Sequence, residues 1–379
     1  MIYLDYAATT PMSETAIAVY TKVASQYFGN PSSLHDAGSE AKQILEASRA
    51  TIAKLFNADA NEIYFTGGGS DGNRLALEAL LSASDVDSRH VITTKVEHSS
   101  VRNFFNHLEE YGYEVTRLNV DSEGRISLDE LEESLRADTI LASIQHVNSE
   151  TGVIQDLEGI GALLKARNIF LHSDCVQSFC KIDVLANWAD AITVSAHKVY
   201  GPKGVGAVYI KKNIEWQPEI NGTTQERGLR AGTQNVPGIA AFAAAAKGLF
   251  AEKDEEYNRI AGLRAVLLEG INAAGWTFVD EGIANHKLSN ILGLRFPGIE
   301  GQFLMLECSQ AGLGISTGSA CQAGLDKPNG TMLAMGRSVQ EAREFVRLSL
   351  GKGIDETNIP LIIEKIDTIL SRHFSKVKL

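Results

Sequence analysis

A chain of 379 residues with 44% hydrophobic and 22% charged side chains has the composition of an ordinary folded protein, and it is long enough for two domains with a large core. Its formal net charge of -12, from 35 basic and 47 acidic residues, argues against a nucleic-acid-binding surface and against attraction to anionic membranes. The first residues lack a signal-peptide pattern and no uncharged apolar stretch could span a bilayer, so we expect a cytoplasmic protein.

Short apolar segments alternate with longer amphipathic ones through the first two thirds of the chain. Seven of the short segments predict strands: 63–65, 91–93, 115–118, 140–143, 169–172, 192–194 and 206–210. Five of the longer segments predict helices: 39–56, 71–82, 99–111, 128–136 and 157–167, the last with Asp156 as its N-cap. This alternation is typical of a mostly parallel sheet with helices on both faces.

The pattern changes after about residue 240. An alanine-rich segment leads into a charged helical stretch around 252–274, and then come a strand at 290–296 and helices at 301–311 and 357–373. We expect a large domain over residues 15–250 and a smaller α+β domain formed by residues 1–14 and 251–379. No low-complexity linker, internal repeat or long charge run separates the two, so they are expected to pack tightly.

The segment Ser195-Ala196-His197-Lys198 follows a predicted strand and precedes a glycine-containing turn. It places one lysine amine at the edge of the sheet, with two hydrogen-bonding side chains beside it. This arrangement suits an aldehyde cofactor that carries a phosphate, because lysine forms a Schiff base while Ser195 and His197 donate to phosphate oxygens. The alternative is an ordinary surface lysine after a strand.

A second candidate site is the glycine-rich run from Phe65 to Asn73, in which a predicted strand passes through glycines into a predicted helix. Glycine lets the backbone approach an anion, and the free N–H groups at the start of a helix donate to it. Ser70 adds a hydroxyl group. The common nucleotide-binding glycine motifs are absent, and a simple turn is the alternative interpretation.

Three further polar residues also follow predicted strands. His98 could stack on a cofactor ring and pass protons, or it could simply cap a helix. Asp174 is costly at the end of a buried strand unless it is paired, and either a protonated pyridine nitrogen or a helix start could be its partner. Gln177 could reach a ring hydroxyl. Open parallel sheets bind ligands at the carboxyl ends of their strands, so these features and Lys198 together predict one pyridoxal-phosphate pocket.

The chain resembles the cysteine desulfurases of the nitrogen-fixation and iron–sulfur-assembly type. These are class-V members of the pyridoxal-phosphate enzymes with the aspartate-aminotransferase fold (fold type I). The resemblance extends nearly from end to end, and the segments that carry it are 3–10, 28–35, Glu97-His98, 174–177, 195–198, 226–233, 316–321 and 346–351. It implies a large, mostly parallel seven-stranded sheet domain, a smaller α+β domain, and a homodimer with the cofactor at its interface.

The resemblance also implies a role for each candidate residue. Lys198 would hold pyridoxal 5'-phosphate, His98 would stack on its ring, Asp174 would pair with the pyridine nitrogen and Gln177 with the ring oxygen. The phosphate would be held by Gly69, Ser70, Ser195 and His197, and by Thr233 of the partner subunit. Arg347 would bind the substrate carboxylate, which a planar guanidinium suits.

Two of the departures from the family pattern concern the cofactor site. The phosphate turn usually reads Thr-Ser-Gly-x-Thr-Glu, where this chain has Gly67, Ser70 and Asp71. The family's asparagine that contacts the cofactor ring corresponds to Ser149, with Asn148 beside it. The sequence leaves open which of these two residues contacts the ring.

The four cysteines form no CxxC pair and are too few for a disulfide framework, so reduced and mostly buried thiols are expected. Cys321 differs because it lies in a run of small residues that suits a mobile loop. The resemblance makes its thiol the persulfide carrier. The other three are Cys175, Cys180 and Cys308.

The implied function is conversion of L-cysteine to L-alanine, with the sulfur left as a persulfide on Cys321 for an acceptor protein that the sequence does not identify. One alternative is a selenocysteine lyase or another pyridoxal-phosphate lyase or aminotransferase. Cys321 opposes it, since transamination needs no such thiol. The other alternative is a non-catalytic sulfur-assembly adaptor, which the intact Lys198, Asp174 and His98 oppose. No metal is expected.

Overall fold

The computed structural model describes residues 1–85, 87–218, 222–282, 285–318 and 328–377. Its largest feature is a seven-stranded sheet that follows a short N-terminal strand, β1 (Ile2–Tyr3). The strands of the sheet are β2 (Ile63–Thr66), β3 (His90–Thr94), β4 (Glu114–Leu118), β5 (Thr139–Ser143), β6 (Phe170–Asp174), β7 (Ala191–Ser195) and β8 (Gly206–Ile210). They coincide with the seven strands predicted from the sequence.

The order of strands in this sheet is β2-β8-β7-β6-β5-β3-β4, and every neighbouring pair is parallel except the two that involve β8. The prediction of a mostly parallel sheet is therefore confirmed. Every residue of β2, β3, β7 and β8 is buried, which explains why these segments are nearly continuous apolar runs. The carboxyl ends of β2, β3, β5, β6 and β7 meet at one edge of the sheet.

Helices connect and cover the strands. Those of the first two thirds are α1 (Glu14–Gln26), α2 (Asp36–Phe56), α3 (Gly69–Ser82), α4 (Ser99–Glu110), α5 (Leu128–Glu133), α6 (Leu157–Ala166) and α7 (Val236–Ala251). α6 begins as predicted, because the Asp156 carboxylate accepts a hydrogen bond from the N–H of Gly159 at 3.0 Å. The alanine-rich α7 packs on α1 and α2, where its small side chains allow a close approach.

The last third of the chain builds a smaller sheet and its helices. Its elements are α8 (Lys253–Ala273), β9 (Val279–Asp280), β10 (Ile291–Arg295), α9 (Gly301–Gln310), β11 (Leu313–Gly314), α10 (Gly330–Ala334), α11 (Val339–Arg343), β12 (Phe345–Ser349) and α12 (Asn358–Val377). An antiparallel sheet has the order β12-β10-β9, and β1 pairs in parallel with β11. α12 packs on α8 and α9.

The chain's N-terminus joins this smaller part, since β1 lies beside β11 and Asp5 forms a bridge with Ser349. The assignment of residues 1–14 to a small domain and the boundary near residue 250 both stay predictions. The main hydrophobic core contains buried side chains from both parts, among them Ile192 and Leu292. Within the described residues, no helix has both the length and the apolar character that crossing a bilayer requires.

Candidate active site

One cavity, with a volume of about 250 Å³, opens at the carboxyl edge of the large sheet. Ten of the residues predicted from the sequence line it: Gly69, Ser70, His98, Ser149, Asp174, Gln177, Ser195, His197, Lys198 and Arg347. Asp174 and Ser195 are the last residues of β6 and β7, and His98 directly precedes α4. The order of the strands thus brings together side chains that are far apart in the sequence.

Lys198 ends a short helical turn after β7 and lies against residues 5–10, which we name the N-terminal strap. Its Nζ donates hydrogen bonds to the carbonyl oxygens of Ala7 at 2.6 Å and Ala8 at 2.8 Å. The strap is held there because the N–H and the hydroxyl of Thr10 both donate to the His197 carbonyl, at 2.9 and 3.0 Å. Two carbonyl oxygens therefore compensate the partial desolvation of the amine at the cavity wall.

The glycine-rich turn leads into α3 and forms a cradle for an anion. Gly68 has a φ of 137°, which favours glycine, and α3 starts at Gly69 with its N–H groups directed along the helix axis. A Cβ atom at Gly69 would lie 3.0 Å from Val176 Cγ2 and 3.6 Å from Ser195 Cβ, so a larger residue would narrow the cradle. The Ser195 hydroxyl is buried and has no hydrogen-bond partner among the described residues. An unpartnered hydroxyl beside a helix start fits an anionic ligand.

His197 lies next to this cradle. Its Nδ1 is 3.1 Å from the Thr9 hydroxyl of the N-terminal strap. Burial, reinforced by the charges of Lys198 and Lys203, lowers the pKa of His197 to about 4. The ring is therefore neutral at physiological pH, with one nitrogen available as a donor.

Asp174 is held by donors on both of its carboxylate oxygens. Oδ1 accepts a hydrogen bond from the N–H of Val176 at 3.0 Å, and Oδ2 accepts one from Asn73 Nδ2 at 2.8 Å. Gln177 donates from Nε2 to the Ala7 carbonyl at 2.9 Å, while its Oε1 is buried without a partner in the described part of the chain. The carboxylate thus has a fixed direction, and Gln177 keeps one unused polar atom.

His98 caps α4 and also faces the cavity, so both of its predicted roles are compatible with its position. Its Nδ1 accepts a hydrogen bond from the N–H of Ser100 at 3.2 Å and lies 2.8 Å from the Ser100 hydroxyl. A ring nitrogen that accepts from a backbone N–H carries no proton, so the neutral ring is protonated at Nε2. Burial lowers the pKa of His98; the Asp174 carboxylate opposes this shift and the Lys198 charge adds to it.

The structure distinguishes the two residues that the sequence left open. Ser149 lines the cavity. The Asn148 side chain is occupied elsewhere, since its Nδ2 donates to the Val96 carbonyl at 3.2 Å and its Oδ1 accepts from the N–H groups of Glu150 and Thr151 at 2.9 Å. Ser149 is therefore the one of the two that can contact a ligand, and that contact stays a prediction.

Arg347 is buried on β12 and reaches the cavity from the smaller sheet. Its Nη2 donates to Asp5 Oδ1 at 2.7 Å and its Nη1 donates to the Ser149 carbonyl at 2.8 Å. Its Nε is buried without a hydrogen-bond partner among the described residues. A guanidinium has five N–H donors, so donors remain for a carboxylate.

Comparisons of the whole chain with known proteins agree with this geometry. The family model described as aminotransferase class-V matches residues 2–361. The chain belongs to the class-V aminotransferase family. Within it, a putative cysteine desulfurase NifS of Bacillus subtilis (strain 168) is 45% identical over 356 residues, which are 93% of this chain and 90% of that protein. The cysteine desulfurase IscS of Dictyoglomus turgidum is 35% identical over 373 residues, 98% of this chain and 95% of that one.

Solved structures place the chain in the same branch of the class-V aminotransferases. A NifS-like protein superposes with a TM-score of 0.91 at 33% identity, covering 98% of this chain and 99% of its own. SspA in complex with cysteine superposes with a TM-score of 0.82 at 34% identity, covering 92% of this chain and 99% of its own. The resemblance inferred from the sequence and the fold that it implied are confirmed. Enzymes of this family depend on pyridoxal phosphate.

Two residues that the class-V resemblance singles out are not part of the described cavity. Thr233 is exposed in the segment before α7 and does not line the cavity of its own chain. Cys321 lies outside the described residues. The roles of both stay predictions.

The other three cysteines, Cys175, Cys180 and Cys308, are free and buried, as expected. Burial raises the pKa of the Cys175 and Cys308 thiols to about 12, and it raises the pKa of Cys180 as well. A thiol that stays protonated at neutral pH is neither a good nucleophile nor a sulfur carrier.

Sequence reasoning missed several groups that shape the site. Ala7 and Ala8 act through backbone carbonyls, which no side-chain pattern reveals. Asn73 lines the cavity; it ends the glycine-rich run that begins at Phe65, but no role was predicted for its side chain. Asp5, Ala7 and Ala8 share one signal, because all three lie in the N-terminal segment 3–10 that carried part of the family resemblance.

Proposed function

We propose that the protein is a cysteine desulfurase that uses pyridoxal phosphate to convert L-cysteine to L-alanine and keeps the sulfur as a persulfide. The observation that carries the proposal is that Lys198, Asp174, His98 and Arg347 surround one cavity. The NifS and IscS relatives are named for the same reaction. An amine, a carboxylate, an imidazole and a guanidinium in one cavity are the groups that this chemistry needs.

The residues present fit the cofactor by a test that is independent of the family. Four polar atoms of residues that line the cavity are buried and unpartnered among the described residues, and two of them, Ser195 Oγ and Gln177 Oε1, lie on the side of the large sheet. Such atoms are costly in an empty site, and a ligand with phosphate and ring hydroxyl groups offers them partners. The helix start at Gly69 adds N–H donors for the phosphate.

When bound, pyridoxal phosphate supplies a ring that withdraws electrons from the substrate Cα. Asp174 keeps a proton on the pyridine nitrogen, since a fixed carboxylate favours the charged ring. Lys198 takes the Cα proton when its amine is unprotonated and released from its other partners. Its hydrogen bonds to the carbonyls of Ala7 and Ala8 in the strap hold its Nζ beside the cavity. His98 exchanges protons through Nε2, and Arg347 binds the substrate carboxylate.

Cys321 receives the sulfur in this proposal. Its thiolate attacks the substrate sulfur, the new S–S bond forms as the Cβ–S bond breaks, and protonation of the carbon product yields alanine, so no external oxidant or reductant is needed. The high pKa values of the three buried thiols support the choice of Cys321 among the four cysteines.

The proposal is tested with purified protein, pyridoxal phosphate and L-cysteine. Alanine should form, and sulfide should be released when a thiol reductant is added. Cys321→Ser should keep the visible absorbance of the bound cofactor but should no longer form the persulfide. The control Cys308→Ser, a change at a buried thiol, should keep both the absorbance and persulfide formation. Undiminished turnover in Cys321→Ser would exclude this thiol, and a protein that stays colourless with pyridoxal phosphate would contradict the whole proposal.

The same assay separates the alternative functions. A selenocysteine lyase would prefer selenocysteine to cysteine, an aminotransferase would form keto acids from a panel of amino acids, and an adaptor would show no turnover.

We further propose that the protein is a cytoplasmic homodimer that passes its sulfur to an acceptor protein. Thr233 is exposed and lies outside the cavity of its own chain, which suits a contact with the cofactor phosphate of a second subunit. Phe28 and Leu34 are 77% and 100% exposed, as expected for apolar residues that a partner covers. Light scattering should give twice the mass of the chain; a monomer with full activity would contradict the dimer.

A further inference from the structure

Asn73 lies at the centre of a hydrogen-bond network that links the end of β6 to the start of α4 beside the cavity. It is on α3, it is 1% exposed, and it lines the cavity. Its Nδ2 donates to Asp174 Oδ2 at 2.8 Å and to the Ser100 hydroxyl at 2.9 Å. An amide nitrogen has two N–H groups, so one side chain satisfies both acceptors. The reverse orientation would place Asn73 Oδ1 against a carboxylate, which excludes it.

The network continues from Ser100 to His98. Because the Ser100 oxygen accepts from Asn73, its own hydrogen is directed to His98 Nδ1, 2.8 Å away. The backbone N–H of Ser100 donates to the same nitrogen. Both donors require an unprotonated Nδ1, so Asn73 and Ser100 together select the His98 ring with its proton on Nε2.

The backbone position of Asn73 is itself rigid. The preceding residue, Gly72, lies so close to β7 that a Cβ atom there would be 2.7 Å from Thr193 Cγ2. α3 therefore cannot shift towards the sheet, and Asn73 presents its amide at a constant height above β6 and β7.

We propose that Asn73 is a positioning residue that sets the direction of the Asp174 carboxylate and, through the Ser100 hydroxyl, reinforces the His98 tautomer with its proton on Nε2. The proposal rests on the proposed function, in which Asp174 and His98 act on the cofactor. Without the amide, Asp174 Oδ2 would lose the one side-chain donor that it has among the described residues, and the carboxylate could rotate away from the pyridine nitrogen. Protonation of the cofactor ring would weaken, and the Ser100 hydroxyl would no longer be held towards His98 Nδ1, which would keep only the backbone N–H of Ser100 as a firm donor.

The test compares three variants by the visible absorbance of the holoenzyme as a function of pH, the rate of pyridoxal-phosphate release and the kinetics with L-cysteine. Asn73→Leu keeps the size of the side chain and removes both donors. It should release the cofactor about 10-fold faster and lower kcat about 10- to 100-fold, as expected for the loss of a group that orients a ligand-binding residue. The KM for cysteine should change little, because Arg347 is untouched.

Asn73→Asp supplies a donor to Asp174 only while it is protonated. It should resemble the unmodified protein at low pH and approach Asn73→Leu as the pH rises, because two ionised carboxylates would then repel each other. The other groups that act electrostatically on Asp174 and His98 among the described residues are the same in all variants; they are Glu97, Arg102, Glu150, His172, Cys175 and Lys198. A merely structural role of Asn73 would give a loss that does not depend on pH.

Ser100→Ala interrupts only the branch to His98. It should lower kcat several-fold while the release of the cofactor stays unchanged. The control is Thr93→Val, which removes a buried hydroxyl bonded to the Ser143 carbonyl at 3.1 Å on β3, outside the cavity lining. It should leave all three readouts unchanged.

The outcomes distinguish this inference from the proposed function. If the unmodified protein binds pyridoxal phosphate and desulfurates cysteine, but Asn73→Leu behaves like Thr93→Val, the inference is wrong and the function stands. A loss in Asn73→Asp that is equal at all pH values also overturns it. If the unmodified protein neither binds the cofactor nor turns over cysteine, both are overturned.

Discussion

One wall of the cavity comes from the large sheet, and another comes from the smaller sheet and the N-terminal strap. The first, which we name the cofactor wall, contains Gly69, Asp174 and Ser195. The second, the substrate wall, contains Ala7 and Arg347, and Asp5 is bonded to Arg347. The cofactor wall presents an unpartnered hydroxyl and a carboxylate fixed by two donors. In the substrate wall the charged group is already engaged, since Arg347 is paired with Asp5 at 2.7 Å.

This difference has a physical consequence for binding. A ligand of the cofactor wall gains hydrogen bonds to groups that have none, so binding relieves an existing cost. A carboxylate that binds to Arg347 also finds an unpartnered donor at Nε, but it lies near the Asp5 carboxylate that shares the guanidinium, and the repulsion between the two anions makes its net gain smaller. We therefore expect the cofactor to bind tightly to a preformed site, and the substrate to bind more weakly and to be sensitive to the Asp5–Arg347 pair.

Arg347→Lys should have the largest effect, and it should be confined to the substrate wall. Lysine keeps the charge but loses the planar pair of donors, so the KM for cysteine should rise about 10- to 100-fold while the absorbance of the bound cofactor is unchanged. The matched control is Arg295→Lys on the adjacent strand β10, where the guanidinium is buried with Glu281 and Glu344 away from the cavity. A similar rise in KM in the control would contradict the assignment of Arg347.

Ser195→Ala should weaken cofactor binding about 10-fold, because one hydrogen bond to a charged ligand is lost. The protein without cofactor should be as stable as before or more stable, since the hydroxyl that is removed is buried and unpartnered in the described chain. Ser143→Ala should leave cofactor binding unchanged and lower the stability of the protein. The Ser143 hydroxyl is bonded to His172 Nδ1 at 2.8 Å and lies outside the cavity lining. Thermal unfolding and cofactor titration check both; reduced stability of Ser195→Ala without cofactor would argue against a preformed phosphate site.

Asp5→Asn should lower the KM for cysteine several-fold, because the substrate carboxylate no longer shares Arg347 with an anion. Thermal stability should fall, since a buried guanidinium loses its charged partner. Tyr3→Phe loosens the same strap by removing hydrogen bonds to the carbonyls of Asp5 and Thr9, both at 2.9 Å, without touching Arg347. If both variants change KM alike, the effect comes from the strap and not from the ion pair.

The smallest expected effect is on the pH dependence of stability, and it comes from a buried histidine on β6, the strand that ends at Asp174 of the cofactor wall. His172 on β6 is bonded to Ser143 and Thr193, and burial lowers its pKa to about 4. The unfolded chain, with a histidine pKa of about 6.5, binds more protons between these values, so stability is lost as the pH falls. His172 alone should contribute about 1 kcal/mol to the loss between pH 7 and pH 5.5. His172→Gln should reduce the dependence of the unfolding free energy on pH, which denaturant unfolding between pH 7 and pH 5.5 measures. An unchanged pH dependence would contradict this origin.

Much of the fold could be predicted because its signals are local. The seven strands of the large sheet, the Asp156 cap and the glycine turn before α3 are recorded in the periodicity and the residue types of short segments. The reversal of β8 was not predicted, because the direction of a strand depends on the path of its connections. The cavity was predicted in outline, since Asp174, Ser195 and His98 follow strands whose ends meet at one edge.

The sequence by itself determined which segments become strands and helices and which reactive side chains stand at the strand ends. Only the tertiary structure decided that Asn73 joins Asp174 to Ser100, that Asp5 pairs with Arg347, and that Ser149 rather than Asn148 faces the cavity. Asp5 and Arg347 are 342 positions apart. Such contacts arise when strand order and the path of the strap bring separate segments together. A local pattern of residues contains no information about contacts between segments so far apart in the sequence.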